Sequence, residues 1–145
     1  MRPTSSARAA APAPPDAFLR LIEGTLGDPF EVLGPRDRDG TRHVTAFQPG
    51  AARLVARTDD GGAHPLAPVD GAEGVFSGAV PGTGAYRLEA EAEDGAAWSL
   101  EDPYRFSPAL ADFRMDGEDA PRLWTILGAQ VTEREGVWGT RFAVW

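Results

Sequence analysis

From Tyr86 to Glu93 the chain alternates strictly, with Tyr86, Leu88, Ala90 and Ala92 on one side and Arg87, Glu89, Glu91 and Glu93 on the other. Successive side chains of a strand point to opposite faces, so this stretch has one face to pack and one face to wet. An antiparallel sheet covering a core from one side has this pattern; a parallel sheet, buried on both faces, does not. The neighbouring segments fit the same frame. Asp94-Gly95 is a turn signal, and Ala97 to Glu101 is the expected hairpin partner. Upstream, strands are expected over His43 to Phe47, Arg53 to Arg57, His64 to Val69 and Gly74 to Val80. Leu54 and Ala56 point inward between two arginines, and Phe76 and Val80 share a face. Turns are expected at Asp59-Asp60-Gly61-Gly62 and at Pro81-Gly82-Thr83-Gly84. Pro65 and Pro68 remove ladder donors, which assigns His64 to Val69 to a sheet edge.

A short helix is expected to precede the strands, with Asp16 as N-cap and Phe18, Leu19, Ile22 and Leu26 on its packed face. Asp28-Pro29 ends it. About six short strands separated by turns make the fold class all-β, an immunoglobulin-like β-sandwich with a short N-terminal helix. The 145 residues allow one such domain plus tails. Residues 1–15 read as a disordered tail, 16–112 as the sandwich module and 113–122 as a linker.

A repeat shapes the reading of the C-terminal end. Phe30-Glu31-Val32-Leu33-Gly34 is followed by a polar stretch and then Gly40-Thr41-Arg42 with an apolar run. Trp124-Thr125-Ile126-Leu127-Gly128 is followed by a polar stretch and then Gly139-Thr140-Arg141 with Phe142-Ala143-Val144-Trp145. Both copies read as a short helical segment, a polar loop and an opening strand. A lone strand can neither bury its apolar face nor pair its backbone. Residues 123–145 are therefore expected to be the truncated start of a second sandwich, and the chain the N-terminal part of a longer protein.

Little in the chain resembles catalytic machinery. The formal net charge of −8 argues against nucleic acid or an anionic membrane as partner. The basic residues are all Arg, and Cys is absent, so there is no thiol nucleophile and no disulfide. His43 and His64 stand in no metal-ligand spacing, and neither a metal site nor a cofactor is expected. Glu101-Asp102 and Glu118-Asp119 read as solvated acidic pairs; glycoside chemistry needs two carboxylates facing each other roughly 5–9 Å apart. The aromatics carry more. A flat exposed ring can stack on the C–H face of a sugar, which makes Trp98 and Tyr104 the candidate carbohydrate-binding residues. For Trp98 the core is the stronger competing position, because its neighbours Leu100 and Tyr86 are core-like. Asp102-Pro103-Tyr104-Arg105-Phe106 is expected to fix the exit of the last strand.

Three segments, in this order and spacing, carry a family resemblance: Asp28-Pro29-Phe30-Glu31-Val32-Leu33-Gly34, Phe47-Gln48-Pro49-Gly50-Ala51 and Glu101-Asp102-Pro103-Tyr104-Arg105-Phe106. Together they resemble the N-terminal region of bacterial 1,4-α-glucan (glycogen) branching enzymes, and Gly136-Val137-Trp138-Gly139-Thr140-Arg141 is similar to the start of that family's next sandwich. The likeness runs from Ala17 onward. The family usually has His two residues after each Leu-Gly, where this chain has Arg36 and Gln130. The resemblance implies a cytoplasmic enzyme that moves an α-1,4-linked segment to a 6-hydroxyl, forming an α-1,6 branch. Its chemistry would retain configuration through a covalent intermediate on an Asp, with a Glu as acid/base. Those residues would belong to a catalytic barrel beyond this chain. The chain itself would be an accessory module, with glycogen and the second sandwich and barrel of the same polypeptide as partners. Two alternatives stay open: the leading module of a debranching or trehalose-forming enzyme, and a free-standing glucan- or protein-binding module.

Overall fold

A computed structural model describes residues 16–106, 124–125 and 127–144. The expected tail (1–15) and linker (113–122), with Glu118-Asp119, lie outside the described residues. The chain divides into two compact units, the first ending at Arg105 and the second beginning at Phe106.

The first unit is all-β and sandwich-like. Its strands are β1 (Gly34–Arg38), β2 (Thr41–Phe47), β3 (Arg53–Thr58), β4 (Ala63–Pro68), β5 (Val75–Ala79), β6 (Tyr86–Glu91) and β7 (Ala97–Glu101). They form one curled antiparallel sheet in the order β1-β2-β5-β4-β3-β6-β7. Inward residues from both halves meet in one core: Val44 and Ala46 of β2, Leu54 and Ala56 of β3, Leu66, Phe76, Val80, and Tyr86, Leu88 and Ala90 of β6. The alternation at Tyr86 to Glu91 is realised residue by residue, inward members buried and outward members partly or fully exposed.

β4 is the seam, which corrects its expected place at an edge. Leu54 to Arg57 pair with Leu66 to Ala63 on one side, whereas only Ala67 and Pro68 pair with β5 on the other. Each flank of β4 is used over part of its length, so an interior strand accommodates two prolines without losing either ladder. The crossing is close. A Cβ on Gly78 would lie 2.9 Å from the Pro65 carbonyl oxygen and 3.0 Å from the Leu66 side chain.

β1 corrects a second expectation, that Pro35-Arg36-Asp37-Arg38 forms a polar loop. Its charged residues show no apolar alternation. Among the described residues it is an outermost strand, paired to β2, and exposed edge strands are commonly charged. Arg36, where the family has His, turns its guanidinium back to donate to the carbonyl of Phe30. Phe30 belongs to a 3-10 turn (Pro29–Glu31) whose preceding Asp28 accepts from the Phe30 N–H.

The helix α1 (Asp16–Ile22) forms as expected but buries a different stripe. Phe18 is buried and Leu21 packs beside it against Ala72, Val75, Val32, Phe47 and Val69. Leu19 and Ile22 are exposed. Over two turns, Phe18-Leu21 and Phe18-Leu19-Ile22 both satisfy helical periodicity, so only the docking partner distinguishes them.

The second unit contains the hairpin of β8 (Gly128–Arg134) and β9 (Val137–Ala143). It repeats the β1–β2 hairpin in backbone terms. Gly34 and Gly128 open their strands at φ of 88° and 85°, and the turns Asp39-Gly40 and Glu135-Gly136 both have positive φ at both residues. The equivalent glycines are thus Gly40 and Gly136. Gly139-Thr140-Arg141 lies inside β9 rather than ahead of it, and the polar stretch expected as a loop in each copy is a strand.

Candidate functional site

The β6–β7 register sets Trp98 opposite Ala90 and Leu100 opposite Leu88, which gives Trp98 the inner face. It is nevertheless 37% exposed, which corrects its expected place in the core. Among the described residues β7 is the outermost strand on its side, with β6 as its one strand neighbour. The indole Nε1–H donates to the Gln48 side-chain oxygen at 3.4 Å. Gln48 sits in the β2–β3 connection, held to Gly74 through its backbone N–H. The ring is thereby tethered at the rim of the sandwich, with part of its surface open to water.

Tyr104 is placed differently. It lies in the 3-10 turn Pro103–Arg105 after β7, half-buried, its ring edge-on to Phe30 with centroids 5.2 Å apart. Burial and the neighbouring Asp102 charge push its phenol above the usual range. Trp98 stands near the start of β7 and Tyr104 in the turn beyond its far end, so the two candidate aromatics are set at different ends of the strand.

Between them lies the group that sequence reasoning misjudged most. Asp102, expected in solvent, is 1% exposed. Its Oδ2 accepts from the Tyr86 hydroxyl at 2.5 Å and its Oδ1 from the Tyr104 N–H at 2.9 Å. The Arg42 guanidinium lies over the Tyr86 ring, 5.3 Å from its centroid, and donates to the Val80 and Gly84 carbonyls. Burial pushes the Asp102 carboxyl up, against the pull of the Tyr86 hydrogen bond. Burial and then the Asp102 charge push the Tyr86 phenol far above its usual range, so the proton stays on Tyr86. Glu101 is held by Arg87 and Arg105 at 3.4 and 3.1 Å. With both Asp102 oxygens engaged and Glu101 tied to two cations, this acidic pair closes the strand.

The outward face of β3, β6 and β7 carries an ordered set of charges. Arg57 donates from Nε and from a terminal nitrogen to both Glu89 oxygens, each at 2.9 Å. Arg53 pairs with Glu91 at 3.4 Å. Arg57 and Arg87 are directly opposite in register; like charges there repel, and each turns instead to a glutamate, Glu89 or Glu101. The Arg57 bond holds the Glu89 carboxyl below its ordinary range. These residues enclose a trough of about 490 Å³ floored by Val55 and rimmed by Ala97, Trp98 and Ser99. Alternation marked the glutamates as solvent-facing, but the pairing needed the β3–β6 register. Gln48 was visible only as part of a motif, with no partner assigned. His43 and His64 sit on separate strands, and among the described residues no group of three or more His, Cys, Asp or Glu could hold a metal. No helix among those residues is long and apolar enough to cross a membrane.

Residues 14–104 match the family model described as alpha-1,4-glucan branching enzyme GlgB, N-terminal domain. Curated relatives agree. The chain is 41% identical over 136 residues to the 1,4-alpha-glucan branching enzyme GlgB of Rubrobacter xylanophilus, covering 90% of this chain and 18% of that protein. It is 44% identical over 133 residues to the enzyme of that name from a Bradyrhizobium species, with the same coverage. With the Leifsonia xyli enzyme it shares 36% identity over 157 residues, covering 100% of this chain and 21% of the relative. The chain thus spans about a fifth of the length of these relatives. Fold, motif order and these matches agree: the chain belongs to the family of the N-terminal domain of the alpha-1,4-glucan branching enzyme GlgB.

Proposed function

We propose that this chain is the glucan-engaging leading module of a cytoplasmic glycogen branching enzyme and has no catalysis of its own. The parent enzyme would cut an α-1,4-linked chain and transfer the segment to a 6-hydroxyl. Its catalytic barrel would act in the same polypeptide, and this module would hold part of the polymer while the barrel works on another part. The observation that carries the reading is Trp98, a large flat ring 37% exposed at the sandwich rim and held by Gln48. A fixed ring of this kind offers a sugar an apolar platform whose ordering cost is already met. Tyr104 is the weaker contact, since its ring is committed to Phe30.

The test is migration of the purified chain in a native gel containing glycogen. The wild type is expected to be retarded. Trp98→Ala is expected to weaken the interaction by about tenfold or more, with Tyr104→Ala having the smaller effect. Unretarded wild-type chain contradicts the reading, as does release or transfer of glucan by the chain alone.

A further inference from the structure

We propose that the trough on the outward face of β3, β6 and β7 is a polar subsite for a neutral polyhydroxyl ligand, a short α-glucan segment, with the Arg57–Glu89 and Arg53–Glu91 pairs as its hydrogen-bonding walls. The inference rests on the reading that this module engages α-glucan, and adds to Trp98, which lines the same trough, a second recognition chemistry in the Arg–Glu pairs.

Charge balance comes first. The trough holds Arg53 and Arg57 against Glu89 and Glu91 and is formally neutral, within a chain of net charge −8. A phosphate or carboxylate ligand would meet a glutamate's charge beside each arginine, and a cation an arginine's charge beside each glutamate. A neutral ligand rich in both donors and acceptors meets neither repulsion. Vicinal hydroxyls of a sugar are such groups: each can donate to a carboxylate oxygen and accept from a guanidinium N–H.

Preorganisation comes second. Both Glu89 oxygens are fixed by two 2.9 Å bonds from Arg57, so the planes of both side chains are set before a ligand arrives. Carboxylate oxygens have lone pairs beyond those used by one guanidinium, and Arg57 has N–H groups beyond those two. The side chains remain accessible, at 45% for Arg57 and 39% for Glu89. Binding therefore adds hydrogen bonds to an assembled pair, avoiding most of the rotamer cost that long charged side chains otherwise carry.

Shape comes third. Val55, Ala97 and Ser99 are small beside the charged walls and Trp98, which makes a depression between them. Its volume of about 490 Å³ falls within the roughly 300–1,000 Å³ of small-ligand sites. Along its rim β7 pairs with β6 and, among the described residues, with no other strand.

The experiment titrates maltoheptaose into the full 145-residue chain by calorimetry, using wild type, the double variant Arg57→Ala/Glu89→Ala, and Trp98→Ala. Removing both members avoids leaving an unpaired charge, and the pair is exposed, so the double variant is expected to melt within a few degrees of wild type. The expected result is a loss of affinity of about tenfold or more in the folded double variant. Wild-type affinity in that variant, with Trp98→Ala impaired, overturns the trough while leaving glucan engagement standing. Absence of binding by the wild type overturns both. As a second reading, Glu89→Gln keeps the shape and one acceptor oxygen and is expected to lose less affinity than the double variant; an equal or greater loss also contradicts the assignment.

Discussion

Gly34→Ala is expected to destabilise the first unit by about 3 kcal/mol or more, a fall in melting temperature on the order of 12 °C or greater. Two costs combine. Gly34 has φ of 88°, which an L side chain enters only at roughly 1–2 kcal/mol. The added Cβ would also stand 2.4 Å from the Tyr104 carbonyl oxygen and 3.0 Å from its carbonyl carbon. Those are backbone atoms of the turn that follows β7, so no side-chain rotation relieves the contact. Either β1 moves away from the turn or Tyr104 leaves its packing against Phe30. Two controls separate the costs. Gly40 and Gly128 also have positive φ, at 77° and 85°, yet a Cβ on either meets nothing within 4 Å. Alanine there is expected to cost the strain alone, about 1–2 kcal/mol. Equal losses at Gly34 and Gly40, read from urea denaturation, would show that the Tyr104 turn does not press on β1.

Tyr86→Phe is the second large effect, expected at about 2–3 kcal/mol near pH 7. The substitution keeps the ring under Arg42 and removes only the hydroxyl that donates to Asp102. A buried carboxylate would then lack one of its two donors. The pH dependence follows from the direction of the Asp102 shift. Its folded pKa lies above the ordinary 3.8 because burial penalises the charged form. The folded state therefore holds that proton more tightly than the unfolded chain. The favourable contribution is complete below about pH 4 and is lost as pH rises through the folded value. Losing the Tyr86 hydrogen bond, which favours the charged form, moves the folded value higher still. The difference between wild type and Tyr86→Phe is accordingly expected to narrow from pH 7 toward pH 4, where Asp102 can take up a proton. Asp102→Asn, which does not titrate, is expected to flatten the part of the wild-type stability profile above pH 4. A pH-independent difference between wild type and Tyr86→Phe would contradict this account of the buried pair.

Both effects depend on contacts between β1, β6 and the turn after β7, and the sequence reveals them unevenly. β3 and β6 could be read in advance because the period of two in Leu54 and Ala56 and in Leu88 and Ala90 needs only local information, and β5 because Phe76 and Val80 share a face. β1 could not, since Pro35-Arg36-Asp37-Arg38 has the composition of a loop and becomes a strand through pairing with Thr41 to Thr45. The interior place of β4 was hidden for a related reason. Proline reports on local donors, whereas the switch from β3 to β5 is a property of two neighbours far apart in sequence. Asp102 looked like a solvated acid because nothing nearby in sequence predicts Tyr86 as its partner, sixteen residues away. Trp98 shows the same limit from the other direction. Its inner face is fixed by register, but its exposure depends on its place on an outermost strand of the curled sheet. The two candidate aromatics were nameable from composition and position, whereas Gln48 and the Arg57–Glu89 pair required cross-strand neighbours.

The most direct test of glucan engagement at Trp98 follows the indole N–H signals of the chain by two-dimensional NMR during titration with maltoheptaose. The chain has four tryptophans and so four such reporters. The account predicts that the Trp98 indole signal moves progressively and saturates, because the ligand meets the exposed ring beside its bond to Gln48. An unmoved Trp98 signal at saturating ligand, whether or not those of Trp124, Trp138 or Trp145 shift, would contradict it.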